Sequence, residues 1–210
     1  MGELPEHLTA LERLLTGFCP ASPEEAGDRE RILAFLRQFP ETCLTRDNAV
    51  GHFTASGFIL NRTLDRCLMV YHNLYDSWAW TGGHADGDPD LLGVALREAE
   101  EETGAPVCPL FPQPVSAEIL TVAGHWKRGA WVSAHLHLNL TWLLLADESV
   151  PLRVKPDENS GVRWLSMEEL ERCCREKEFL PLYRRLFEKA HLLRKKGLLP
   201  SIEEKAVSDL

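Results

Sequence analysis

Gly82 to Ala105 reads GGHADGDPDLLGVALREAEEETGA, and its second half sets Glu98, Glu100, Glu101 and Glu102 within five residues. The spacing of Leu92, Ala95, Leu96 and Ala99 predicts a helix, in which each residue turns about a hundred degrees around the axis. Glu98, Glu101 and Glu102 then share one face beside the apolar stripe, while Glu100 points to solvent. Arg97, four residues before Glu101, is placed to brace it by an ion pair. Thr103-Gly104 supplies the stop, because a glycine past the last turn takes the left-handed cap at little steric cost. Carboxylates at i, i+3 and i+4 repel one another, and a hard cation that prefers oxygen, Mg²⁺ or Mn²⁺, relieves them. The competing reading is a solvated acidic face, which is the ordinary meaning of a charge run.

The whole stretch resembles the Nudix box: glycine, five residues, Glu, seven residues, then Arg-Glu-apolar-any-Glu-Glu-any-Gly-apolar. Gly83 opens it, and Arg97, Glu98, Ala99, Glu101, Glu102, Gly104 and Ala105 close it in register. The chain departs from the pattern at Pro89, which stands where the family has its first Glu, between Asp88 and Asp90. Asp90 is suited to cap the helix and Pro89 to fix the turn before it. The family's Glu pairs with the box arginine, here Arg97, and Asp88 or Asp90 is placed to replace it. Thr81 stands where proline is common in the family.

At 210 residues, with 44% hydrophobic and 26% charged residues, the composition is that of an ordinary soluble domain with a sizeable core. The 23 basic and 32 acidic residues give a net charge of −9, which disfavours nonspecific nucleic-acid or anionic-membrane binding. A polyanionic substrate therefore needs a metal or a local basic patch. Six cysteines without zinc-like spacing read as free thiols in a reducing compartment. The N-terminus is acidic and amphipathic, unlike a signal peptide, and no stretch has membrane-spanning length. The expected location is the cytoplasm.

Along the chain, Leu8, Leu11, Leu14 and Leu15 predict a first helix, and Ser22-Pro23-Glu24-Glu25 reads as a capping box opening a second through Ile32, Phe35, Leu36 and Phe39. These two are expected to pack on the core; a substrate lid or the arm of a homodimer is the alternative. Residues from His52 alternate as a strand through Ile59, turn over Asn61–Asp65 and return over Cys67–Tyr71. Ser77–Thr81 reads as one short strand leading into a tight Gly82-Gly83 loop. After an irregular stretch from Pro106 to Pro114, strands are expected over Val115–Ala123 and Val132–Ala146 around a turn at His125–Gly129. On the second, Leu136, Leu138, Leu140, Trp142 and Leu144 take one face and His135, His137, Asn139 and Thr141 the other. His135 and His137 are candidates for the substrate cleft or for a metal, against the commoner reading of backbone-bonded, partly buried histidines, and two histidines without a third ligand do not by themselves make a zinc site. The loop Lys155–Gly161, in which the resemblance places an acidic catalytic residue, Glu158 or Asp157, precedes a strand over Val162–Leu165, and Ser166-Met167-Glu168-Glu169 is a second capping box. A last helix, Pro181–Lys196, carries its basic residues at its end, and residues 199–210 read as a frayed tail.

The resemblance implies an α/β fold, a Nudix-like α/β/α sandwich with a mixed β-sheet, here with an N-terminal helical extension. Residues 1–46 would be the extension, 47–198 the Nudix domain and 199–210 the tail. It implies a Mg²⁺-dependent pyrophosphohydrolase, with Mn²⁺ as a substitute, that cleaves the diphosphate bond of a nucleoside diphosphate linked to another group. The implied metal set is Gly82, by its carbonyl, with Glu98, Glu101 and Glu102. Arg97, Glu98 and Glu158 are the catalytic candidates, Glu98 favoured over Glu158 as base, and Gly83, His135 and His137 line the substrate site. The expected partner is a small nucleotide, with no stable nucleic-acid partner and no membrane. Two rivals stand beside this reading: isopentenyl diphosphate isomerisation, for which no Cys and Glu arrangement speaks, and a weakly catalytic nucleotide sensor, which Pro89 favours.

Overall fold

A computed structural model describes residues 4–127 and 129–199. Two helices come first, α1 (Glu6–Gly17) and α2 (Pro23–Gln38), followed by strands β1 (Gly51–Leu60), β2 (Cys67–His72), β3 (Ser77–Ala79) and β4 (Thr81–His84). Helix α3 (Leu91–Thr103) precedes β5 (Cys108–Pro109), β6 (Ser116–Val122), β7 (His125–Lys127), β8 (Ala130–Val132), β9 (His135–Leu145) and β10 (Asn159–Leu165). Helices α4 (Met167–Cys173) and α5 (Leu180–Lys195) end the described chain.

Eight strands form one mixed sheet in the order β10-β2-β1-β9-β5, with β3 on β2, β4 on β1 and β6 on β9. The centre is β1 beside β9, paired in parallel from Gly51↔Leu136 to Leu60↔Leu145, and every other pair in the sheet is antiparallel. Every residue of β1 is buried, as a central strand covered on both faces requires. Its alternation therefore sorts side chains between two cores. Phe53, Ala55 and Ile59 join Leu8, Leu11, Ile32 and Leu36 of α1 and α2 and Val94, Ala95 and Ala99 of α3 on one face. Phe58 and Leu60 join Leu182, Tyr183, Leu186 and Phe187 of α5 on the other. This is a three-layer α/β/α arrangement, with the first two helices packed on the core.

The helix ends follow their sequence signals. Asp90 caps α3, accepting the Gly93 amide at 3.0 Å, and Gly104 closes it with φ of 71°. Ser166 and Glu169 form the reciprocal capping box of α4. At α2 the expected box is incomplete: Ser22 accepts the Glu25 amide, but the Glu25 carboxylate takes the amide of Ala21. Glu25 also accepts Ser116 Oγ at 2.7 Å and Lys189 Nζ at 2.6 Å. Asp28 accepts the Ile119 amide at 3.1 Å, so α2 covers the free edge of β6.

Several expectations are corrected. Ser77–Thr81 is not one strand: β3 pairs with β2 and β4 with β1, because β1 gives only Ile59 and Leu60 to β2 and has its Thr54–Gly57 edge free for β4. Gly82 and Gly83 consequently lie inside a strand, opposite Ser56 and Ala55, and not in a tight loop. Around the expected turn at His125–Gly129 the chain forms a separate hairpin, β7 paired with β8, and the long strand begins at His135. Leu199, expected to fray, is buried; residues 200–210 of that tail lie outside the described residues.

Candidate active site and metal centre

The register of β4 on β1 sets the site. Gly83 stands opposite Ala55, on the face that α3 covers, and Glu98 fills the space beside it. A Cβ on Gly83 would lie 2.6 Å from Glu98 Cδ and 2.7 Å from its Oε1, so only glycine leaves room for that carboxylate. One turn on, Glu102 is 5% exposed and accepts the Gly82 amide at 3.4 Å. Glu158 arrives from the turn before β10, whose first residue, Asn159, is locked by its side-chain bond to the Glu102 carbonyl at 3.0 Å. One carboxylate oxygen each from Glu98, Glu102 and Glu158 lies within 4.8 Å of the other two.

Burial and neighbouring carboxylates make this cluster costly to ionise. Burial pushes Glu102 up to about 8, against the Gly82 hydrogen bond and with Glu98 and Glu158 adding to the rise. Glu98 is raised too, chiefly by burial, with Lys155 opposing. Lys155 bonds Glu101 at 2.9 Å and Glu158 at 3.1 Å. Burial works against its charge, but those carboxylates hold it above the ordinary lysine value. An all-oxygen donor set around a buried, partly protonated glutamate fits a hard divalent cation, whose charge would favour the ionised form.

Of the expected ligands, Glu98 and Glu102 converge, and Glu158, expected as an acid from the loop, joins them. Glu101 is half exposed and turned to Lys155. Arg97 is not braced on Glu101; its partner is Asp88, at 3.6 Å, so the residue beside Pro89 takes the place of the family's Glu. Asp157 is exposed. His135 and His137 stand elsewhere: His137 pairs in register with His52 of β1, on the face of the sheet opposite α3. There they meet His52 and His84, and burial with the surrounding histidines holds His137 neutral, down to about 2.

Further along that face, Asn139 Oδ1 accepts Thr54 and Ser56 at 3.0 and 2.9 Å, and its amide donates to Glu118 at 3.2 Å. Burial raises Glu118 to about 7. Lys155, His52, His84 and Glu118 were not singled out by sequence reasoning. For Lys155 a signal existed, since it precedes Glu158 by three residues; for the others only strand pairing brings the groups together.

The sequence matches the NUDIX domain profile over residues 51–190. The chain belongs to the Nudix family. As a Nudix hydrolase it acts on pyrophosphate bonds. Among solved structures, a NUDIX-family hydrolase from Clostridium perfringens is similar at 22% identity and a TM-score of 0.49, covering 68% of this chain and 97% of its own. A NUDIX hydrolase from Nitrosomonas europaea is similar at 20% identity and 0.49, covering 67% and 88%. An Ap4A hydrolase from C. elegans is similar at 16% identity and 0.46, covering 63% and 94%. No curated protein matches the chain. Among the described residues no helix is long and apolar enough to cross a membrane.

Proposed function

We propose that this Nudix chain is a Mg²⁺-dependent hydrolase that cleaves the diphosphate bond of a nucleoside diphosphate linked to another group, with Mn²⁺ able to replace Mg²⁺. The observation that carries the proposal is the convergence of Glu98, Glu102 and Glu158. These three would hold the cation, with the Gly82 carbonyl as a further donor and Glu101 available on release from Lys155. A cation held there would supply positive charge to offset the phosphate oxygens and to make the attacking water more acidic. The chain's own groups do the rest. Glu98, fixed on the box helix against Gly83, is the group that accepts the proton of the attacking water, on a carboxylate oxygen. Lys155 holds the Glu158 turn against α3 and offsets the acidic charge that would repel a phosphate. Arg97 and Asp88 tie the box helix to the turn before it.

The alternative, a sensor that has lost turnover, rested on Pro89; the Asp88 pairing with Arg97 weakens that ground. A pyrophosphohydrolase assay with Mg²⁺ over nucleoside triphosphates, nucleotide sugars, ADP-ribose and dinucleoside polyphosphates tests the reading. Turnover of none of them supports the sensor. With the substrate found, kcat at saturating Mg²⁺ assigns the base: Glu98→Gln is expected to cost about three orders of magnitude and Glu158→Gln less. The reverse order moves the base to Glu158.

A further inference from the structure

Four histidines from three strands close on one another on the face of the sheet away from α3. His52 of β1 and His137 of β9 are partners in the parallel ladder, and His84 of β4 lies opposite Thr54, two residues along from His52 on the same face. The ring centroids are 5.1 Å apart for His52 and His84, 5.2 Å for His52 and His137, and 4.9 Å for His84 and His137. One nitrogen from each of these three rings lies within 4.8 Å of the other two. His135, two residues before His137, brings its Nε2 to 3.2 Å from His137 Nε2.

The cluster is poorly explained as filler. His52 is 4% exposed, yet neither its Nδ1 nor its Nε2 makes a hydrogen bond. The backbone of Asn48 acts on the ring without reaching hydrogen-bond geometry. An imidazole buried with both nitrogens unpaired is disfavoured unless something supplies a partner. At His135, Nδ1 lies 2.9 Å from the Ser133 carbonyl, which can only accept, so in the neutral ring Nδ1 carries the proton and Nε2 the lone pair. That lone pair is aimed at His137, and a ring anchored through its other nitrogen to a carbonyl is the usual support of a metal-binding histidine.

We propose that His52, His84 and His137, with His135 as the fourth donor, form a binding site for a borderline transition-metal ion, Zn²⁺ in preference to Mg²⁺. A nitrogen-only donor set selects Zn²⁺, Co²⁺, Ni²⁺ or Cu²⁺ over the hard cations that the carboxylates suit. The two sites are separated by the pleat of β4: Gly83 faces Glu98 while its neighbour His84 faces the histidines. An ion held by β1, β4 and β9 would pin the strand that carries Gly82 and Gly83, acting as a staple beneath the active site.

The test is titration of chelator-treated full-length protein with Co²⁺, followed by the visible ligand-field absorption of the bound ion, and with Zn²⁺ by calorimetry and thermal melts. Expected are one high-affinity equivalent per chain, imidazole-type Co²⁺ absorption and a raised melting temperature with Zn²⁺. This equivalent should persist in the Glu98→Gln, Glu102→Gln double variant and weaken at least about 100-fold in His137→Gln and in His84→Gln. His84 is only half buried, so its variant should fold even if loss of His137 disturbs the sheet, and the wild-type absorption needs no variant at all. Binding no tighter than about millimolar, or an equivalent that vanishes in the glutamate variant and survives in both histidine variants, would overturn the proposal.

Discussion

Gly83 and Glu98 are each explained by the other. The glycine has an ordinary strand conformation, so what demands it is space: a methyl group there would displace the carboxylate, which is the far end of a flexible side chain, and not the backbone. Gly83→Ala is accordingly expected to lower kcat by roughly two orders of magnitude while shifting the melting temperature only slightly. An unchanged kcat would show that Glu98 does not work from this position. Glu102 carries a pH signature. Its carboxyl, raised from 4.5 to about 8, binds its proton more tightly in the folded than in the unfolded chain. The contribution to stability is full below the unfolded value and is lost as pH rises toward 8. In metal-free protein, Glu102→Gln should therefore gain about 1–3 kcal/mol over wild type between pH 5 and pH 8. Urea unfolding at the two pH values measures this, and a difference between the two proteins that does not change with pH would refute it. Mg²⁺ should raise the unfolding midpoint of wild type at pH 8 and leave that of the variant nearly unmoved.

At the scale of the element, α3 shows how a deviating sequence keeps a working helix. Pro89 removes the box's first carboxylate, but the turn it fixes presents Asp88 to Arg97 and Asp90 to the Gly93 amide. The Arg97–Asp88 pair is about half exposed, so its contribution is geometric more than energetic. Pro89→Glu is thus expected to change kcat less than about tenfold, whereas Asp90→Ala should cost about 1 kcal/mol of stability through the lost cap. A hundredfold gain in rate on Pro89→Glu would mean that the natural helix is impaired and would favour the sensing role. Most of this helix was legible in the sequence: its start, its stop and its acidic face come from local bonds between residues a few positions apart. The partner of Arg97 was legible only as a choice among Glu101, Asp88 and Asp90, and the turn geometry selects Asp88.

Across the molecule, the N-terminal helices are held by a buried ion pair that links three elements. Glu25 of α2 meets Lys189 of α5 and Ser116 of β6, with the Glu25 side chain 3% exposed and that of Lys189 15%. Burial alone would raise the Glu25 carboxyl, but the Ala21 amide, Lys189 and Ser116 outweigh it and hold it low. Its stabilising contribution is present above the unfolded value and is lost as pH falls through the lowered one. Removing only the cation, by Lys189→Met, leaves that carboxylate buried without its partner and is expected to cost about 3–5 kcal/mol at pH 7. The double change Glu25→Leu, Lys189→Met should recover most of it. Denaturant unfolding of the three proteins decides, and additive losses would mean that the two residues act independently.

By itself the sequence determined the box helix, its caps and the strand faces of β1 and β9, since these follow from periodicity and from bonds between near neighbours, while the three-layer fold was implied by the resemblance of the box to a known family. Only the tertiary structure decided that β4 parts from β3, which stays on β2, to pair with β1, and this one choice of edge does three things. It sets Gly83 beneath Glu98, puts the Gly82 amide on Glu102 and brings His84 to His52 and His137. Likewise Glu158 reaches Glu98 and Glu102 only because β10 pairs with β2 and Asn159 bonds the end of α3. Strand partners far apart in sequence are chosen by which edge is free and which face must be buried, and no local pattern records that choice.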